Sequence, residues 1–287
     1  MAPHLHRSLF LGVALLSAAW AQLPPSLPMK SVQVLGATIR YHEAGSGDRN
    51  VILLHGLGGD ATNWAANVAA FSARYHVFVP DQVGFGTSDK PFLNYRVATM
   101  VDFLDGFYRQ VGIARATLVG NSLGGWISAA YALAHPDKVD RIVLVDSAGL
   151  ALANVPREVL LTLNPSTVGQ MKQVLNLILA NKALVTDAAA EQAFARRMKN
   201  NDGYTINAFV DSVLRKEDVL DTRLASVTTP TLIVWGRQDA LTPIELGNRM
   251  HQGIKGSEIV TLDACGHVPQ MECAPRFNET VLNWLAK

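Results

Sequence analysis

The sequence predicts an α/β protein: a mostly parallel sheet with helices on both faces, plus an inserted helical cap. Three observations lead there. Short apolar, β-branched runs recur along the chain, helix-like segments separate most of them, and one long interval contains no such run.

Each element follows from its local pattern. SVQVLG, from Ser31, and TIRYHEAG alternate apolar with polar residues and meet at a Gly, the pattern of an opening antiparallel hairpin. VILLHG (51–56), HVFVPD (76–81), ATLVGN (116–121), RIVLVD (141–146), TLIVWG (231–236) and EIVTLD (258–263) read as strands buried on both faces. Helices are expected at 64–72, 97–111, 123–135, 243–252 and 275–285, and such alternation forms βαβ units with right-handed crossovers.

Between residues 152 and 224 the segments VGQMKQVLNLILANK, DAAAEQAFARRMKN and YTINAFVDSVLRK all read helical, so a helical cap is expected there. It leaves the core after RIVLVD, at the carboxyl end of the strands, where it would roof a site. Leu175, Ile178 and Phe209 are expected to fill the cap's own core rather than a pocket wall. The α/β core is then residues 31–151 and 225–287.

The amino terminus carries Arg7, an apolar stretch from about Leu9 to Trp20 and the small-residue pattern Ala19-Trp20-Ala21. That reads as a signal peptide over residues 1–21, with 22–30, including PPSLP, as linker. Roughly a dozen apolar residues fall short of the ~20 that span a bilayer, so no stable membrane insertion is expected after cleavage. A periplasmic or secreted location follows. In such a compartment Cys265 and Cys273 can pair or stay as two buried thiols, and spacing alone leaves both open.

Twenty-five Lys plus Arg stand against twenty-four Asp plus Glu, with no basic run that follows a phosphate backbone, so nucleic acid is not an expected partner. The eight histidines show no H-E-x-x-H spacing, and HGLGG and VGFGTS lack a full nucleotide-binding pattern. No metal or cofactor is expected.

GNSLGG, residues 120–125, places Ser122 between a buried strand and a helix. G-x-S-x-G alone is weak, but in a strand-turn-helix setting the serine sits on a sharp turn with its hydroxyl at a helix N-terminus. A serine hydroxyl needs a base and a group that orients the base. His267, in DACGHVPQ, and Asp239, in WGRQDALTP, begin loops at two other strand ends, on the same sheet edge as Ser122. Val268-Pro269 is expected to block helix formation directly after the histidine. Asp146, ending RIVLVD, is the alternative orienting acid, while Asp81 is expected to cap the VPDQVGFG turn. Donors for a tetrahedral oxyanion are expected from the backbone N–H groups of Leu57, in HGLGGD, and Leu123. His55 has structural and functional readings and is given no catalytic role.

With LLHGLGG, DQVGFGTSDKP, GNSLGG, WGRQDALTP and CGHVPQME in that order, the chain resembles the α/β-hydrolase superfamily from about Ser31 to Trp284. The resemblance implies the α/β-hydrolase fold, a nucleophile–acid–histidine triad of Ser122, Asp239 and His267, and a cap inserted after RIVLVD. Within the superfamily the motifs look like the esterase and meta-cleavage-product hydrolase branch. Ser122 stands where haloalkane dehalogenases and most epoxide hydrolases of this fold carry an aspartate. The carbon–carbon hydrolases usually have a Trp after the histidine and a longer Gly-rich loop, whereas this chain has Val268 and HGLGGD. The expected function is therefore a serine esterase of small to medium carboxylic esters. Carbon–carbon hydrolysis ranks second, and a non-catalytic binding protein on the same fold third.

Overall fold

Runs of β-branched and apolar residues pair into one sheet in a computed structural model that describes residues 27–152 and 155–287. The expected signal segment and most of the expected linker lie outside the described residues. The strands are β1 (Met29–Val34), β2 (Ala37–Ala44), β3 (Asn50–Leu54), β4 (His76–Pro80), β5 (Ala116–Asn121), β6 (Val139–Val145), β7 (Thr231–Gly236) and β8 (Glu258–Leu262). The helices are α1 (Ala65–Ser72), α2 (Val97–Val111), α3 (Leu123–Ala134), α4 (Arg157–Leu161), α5 (Val168–Ile178), α6 (Asp187–Asn200), α7 (Gly203–Leu214), α8 (Ile244–Gly253), α9 (Pro269–Glu272) and α10 (Ala274–Leu285).

β1 and β2 form the expected hairpin, closing at Val34 opposite Ala37. Leu35 and Gly36 both take positive φ, 50° and 84°, as a two-residue turn matched to strand twist requires. The order across the sheet is β1-β2-β4-β3-β5-β6-β7-β8. β2 pairs antiparallel with β4, and every pair from β4 to β8 is parallel. The chain runs from β3 outward to β4, then returns to β5 on the other side of β3. The loops that follow β3 and β5 therefore diverge at a topological switch point, where a crevice opens beyond the strands' carboxyl ends.

Period-two alternation sends neighbouring residues to opposite faces. Ile52, Leu54, Leu118 and Ile142 pack with α2 and α3 through Leu104, Phe107 and Ile127. Val51, Leu53, Val119 and Val143 pack on the other face with α1 and α10 through Phe71, Phe277 and Trp284.

Several expectations need correction. β1 starts at Met29, two residues before Ser31, because Met29 and Lys30 continue the ladder against His42 and Tyr41. β8 is not buried on both faces: it forms the sheet edge, and Glu258 is exposed. Pro269 does not delay the helix after His267 but opens α9 at its first position, where a missing N–H costs nothing. Between β6 and β7 the described residues form α4 to α7 and no strand, and α4 was not expected. Leu175 packs with Val268 from the loop after β8, and Phe209 stacks at 6.1 Å on Phe85 from the loop after β4. Phe209 thus joins the helical interval to the sheet-bearing body, whereas Leu175 and Ile178 sit, as expected, in a cluster formed mostly by that interval with Leu179, Ala190 and Ala193; all three also line the cavity described next.

Candidate active site

Ser122 occupies the turn from β5 into α3 with φ 54° and ψ −116°, a conformation that costs a non-glycine residue roughly 1–3 kcal/mol. The turn is held by the Ser122 N–H, which donates to the Val145 carbonyl at 2.9 Å. Strand and helix approach so closely that a Cβ on Gly120 would stand 2.1 Å from the Gly124 carbonyl oxygen. One on Gly124 would stand 2.3 Å from that of Leu54. The glycines at 120 and 124 are thus a steric requirement of the elbow.

The loop after β3 faces this elbow. Gly58 turns it at φ 68°, and the Gly59 N–H donates to the Gly56 carbonyl at 3.1 Å. Leu57 and Leu123 both line the cavity beside Ser122, and among the described residues neither backbone N–H donates a hydrogen bond. His55 is fully buried behind the loop. Its Nε2 accepts from the Gln82 N–H at 3.1 Å, so its Nδ1 carries the proton shared with the Gly56 carbonyl at 2.8 Å. Its structural reading prevails. Asp81 accepts from the N–H groups of Ala61 (2.8 Å) and Thr87 (2.7 Å), tying this loop to the turn after β4 as expected.

His267 and Asp239 come together. His267 Nδ1 lies 2.7 Å from Asp239 Oδ2, with both side chains almost wholly buried. Asp239 Oδ1 accepts from the Leu241 and Thr242 N–H groups at 2.8 and 2.9 Å, and the Thr242 hydroxyl donates to Oδ2 at 2.5 Å. Burial pushes the Asp239 carboxyl up, but the imidazole and the Thr242 donors outweigh it and hold it below the usual carboxylate range. The loop bearing His267 is fixed on three sides. Its N–H donates to the Ile178 carbonyl at 2.8 Å, its carbonyl accepts from Asn121 Nδ2 at 2.9 Å, and a Cys265–Cys273 disulfide closes around it.

Asp146, the alternative acid, does not bond His267. It sits fully buried behind Asp239, and burial first, then the Asp239 charge, raises its carboxyl well above the usual range. Asp146, Asp239 and His267 have ligating atoms within 4.8 Å of one another, but Asp239 and His267 turn theirs on each other.

Ser122 and His267 line one cavity of about 650 Å³, and no hydrogen bond joins Ser122 Oγ to His267 among the described residues. Such contacts are commonly loose before substrate binds. Apolar side chains from several elements line it, among them Leu160, Val210, Leu246, Leu175, Val268 and Met271. Arg196 and Arg197 from α6 also line the cavity, and each already faces a carboxylate: Arg196 lies 3.8 Å from Asp60, Arg197 3.3 Å from Asp202.

Thr242, Asn121 and Glu272 support the site but were not singled out in the sequence. Glu272 accepts from the N–H groups of Gly266 (2.8 Å), Ala180 (3.1 Å) and Asn181 (2.6 Å), joining the histidine loop to the end of α5. All three lay within quoted motifs, Asn121 in GNSLGG, Thr242 in WGRQDALTP and Glu272 in CGHVPQME, but nothing in those strings separates a supporting residue from its neighbours.

Fold and site together define a hydrolase: a serine on a strained strand–helix elbow and the histidine of a buried histidine–aspartate pair line one largely apolar cavity. The alpha/beta hydrolase fold family model matches residues 49–274, and the chain belongs to that family. A curated relative from Escherichia coli (strain K12), 2-hydroxy-6-oxononadienedioate/2-hydroxy-6-oxononatrienedioate hydrolase, is 34% identical over 90% of this chain and 94% of its own. The meta-cleavage product hydrolase of Pseudomonas fluorescens IP01 is similar in structure, with TM-score 0.82 and 28% identity over 91% of this chain and 98% of that one. A membrane phospholipase A described as a bacterial virulence factor superposes with TM-score 0.79 at 30% identity, covering 91% of this chain and 86% of that one.

Proposed function

We propose that the chain is a serine hydrolase in which Ser122 attacks a substrate carbonyl, His267 takes its proton and Asp239 orients the imidazole. The observation that carries this is the buried His267–Asp239 hydrogen bond of 2.7 Å, with His267 lining the same cavity as Ser122. The unengaged N–H groups of Leu57 and Leu123 are the donors for the tetrahedral oxygen. His267 then returns the proton to the leaving group, and water releases the acyl group by the same route.

For the bond cleaved, the relatives reverse the ranking drawn from the sequence. The 34% identical curated relative is named a hydrolase of 2-hydroxy-6-oxononadienedioate and the Pseudomonas structure a meta-cleavage product hydrolase, which supports carbon–carbon cleavage beside a ketone as the leading reading. In that reaction the substrate must first take a proton on the carbon beside the ketone, as its 2-hydroxyl becomes a ketone, so that the later carbon–carbon cleavage releases a dienolate.

Ester hydrolysis is retained as a second reading on one observation. The relative's name denotes a dicarboxylate, yet both arginines at this cavity already face the protein's own Asp60 and Asp202, and most of the remaining lining is apolar. The likeness to a phospholipase A points the same way.

A panel comparing a 2-hydroxy-6-oxo-dienoate with p-nitrophenyl esters, on the native chain and on Ser122→Ala, tests both readings. Carbon–carbon cleavage predicts the higher kcat/KM on the dienoate. A loss of roughly 10⁴-fold or more in Ser122→Ala is expected on either substrate, and wild-type turnover in that variant would sink the proposal.

We also propose export of the chain. The Arg7–Ala21 pattern and the Cys265–Cys273 disulfide support an oxidising compartment. No helix among the described residues is long and apolar enough to cross a membrane.

A further inference from the structure

Behind the His267–Asp239 pair lies a second carboxyl group that the proposed mechanism does not use. Asp146 directly follows β6 in a left-handed conformation, φ 43°, and its side chain reaches the end of β7, where the loop that carries Asp239 begins. Its Oδ1 accepts from the Gly236 N–H at 2.8 Å. Its Oδ2 is sealed from solvent and receives no hydrogen bond. The titratable groups that face it are Asp239 and His267, and its other polar neighbours are the Thr242 hydroxyl and the Gly236 N–H. Among the described residues no Lys or Arg pairs with it: Arg237, on the adjoining loop, pairs with Asp263 instead.

An ionised carboxylate in that position would carry one unsatisfied oxygen and stand beside a second buried carboxylate with no counter-charge of its own. A protonated one satisfies every atom. An Oδ2 hydroxyl would have the neighbouring Asp239 carboxylate to donate to, while Oδ1 keeps the Gly236 N–H.

We propose that Asp146 is a positioning residue that acts as a neutral carboxylic acid, donating a hydrogen bond to Asp239 and thereby setting how strongly Asp239 stabilises the His267 imidazolium. The proposal rests on the triad reading above. A donor from behind withdraws electron density from Asp239, so the imidazolium is stabilised less than by an undamped carboxylate. It also holds the carboxylate against rotation, so that one oxygen stays on Nδ1.

Two variants separate this role from alternatives. Asp146→Asn keeps a neutral donor of the same shape, whereas Asp146→Leu keeps bulk and removes the donor. The primary readout is the His267 titration followed by NMR of its imidazole, which does not depend on turnover; circular dichroism verifies folding of each variant. Asp146→Asn should leave the His267 midpoint within about 0.3 pH unit of wild type and kcat within about threefold. Asp146→Leu should raise that midpoint by about half a unit or more and lower kcat roughly tenfold. An infrared difference spectrum between wild type and Asp146→Asn at pH 7 should show the carbonyl stretch of one protonated carboxyl group.

A drop of about one unit in the Asp146→Asn midpoint would mean that a negative charge had been removed, and would overturn the proposal. An unchanged midpoint in a folded Asp146→Leu, or no protonated-carboxyl band, overturns it equally. Failure of the triad reading itself shows separately, as retained turnover in Ser122→Ala.

Discussion

His267 Nδ1 and Asp239 Oδ2 stand 2.7 Å apart in a site that excludes water from both. At that distance and burial the carboxylate selects the tautomer that leaves Nε2 free to take a proton, and it stabilises the imidazolium that results. Asp239→Asn keeps the shape but can present an amide N–H to Nδ1, which favours the wrong tautomer. It should lower kcat by about 10³–10⁴-fold at pH 7 while KM changes little. A kcat within tenfold of wild type would show that Asp239 is not the orienting group.

Glu272 collects the backbone N–H groups of Gly266, Ala180 and Asn181, so the residue that anchors the histidine loop also anchors the end of α5. Glu272→Ala leaves three donors without their acceptor. Charge-assisted bonds of this kind contribute about 1.5–3 kcal/mol each at most, and some of the freed groups reach water. A loss of about 2–4 kcal/mol in urea unfolding is expected, with kcat reduced about tenfold. Glu272→Gln should recover part of both. Equal stability of Glu272→Ala and wild type would refute the anchoring role.

Much of this arrangement was legible from local patterns. The strand runs and GNSLGG place Ser122 because a buried strand followed by Gly-x-Ser-x-Gly leaves the chain few geometries. Asp239 and Asp146 were harder to rank, since both follow strand ends on the same sheet edge. The distinction arises in backbone conformation: Asp146 turns at φ 43° and reaches the end of β7, while Asp239 is presented to His267 by the N–H groups of Leu241 and Thr242. Glu272 was illegible because its partners are backbone groups, two of them brought close only by folding, and Thr242 because its hydroxyl gains its role only once Asp239 and His267 meet. The cavity was illegible for a related reason: its walls combine residues from α4, α5, α7, α8 and the histidine loop, and no one segment carries the pattern.

Cys265 and Cys273 close a loop eight residues apart in sequence, with His267 inside it. A cross-link over so short a loop restricts the unfolded chain by about 2.5 kcal/mol on the loop-entropy account. Reduction by dithiothreitol, or Cys265→Ser with Cys273→Ser, should therefore lower Tm by roughly 5–10 °C. Turnover should fall with it, because the carbonyl and N–H of His267 are held from this loop. An identical Tm in reduced and oxidised protein would show that the bridge is absent in solution or without consequence.

Asp146 makes a further prediction about stability, independent of catalysis. Its carboxyl is raised well above the ordinary value, by burial first and by the Asp239 charge second. The native state therefore holds a proton that the unfolded chain releases above pH ~4, and wherever the native state binds more protons, stability falls as pH rises. Asp146→Asn removes that linkage. Its stability relative to wild type should increase from pH 5 to 7 by up to about 1.4 kcal/mol per unit, read as a growing gap between urea midpoints. Asp239 works in the opposite sense and in another window: its lowered value contributes stability above pH ~4 that is lost on further acidification, so it does not mask the trend. A gap between the two proteins that stays constant from pH 5 to 7 would mean that Asp146 is ionised throughout, despite its burial and its unpaired Oδ2.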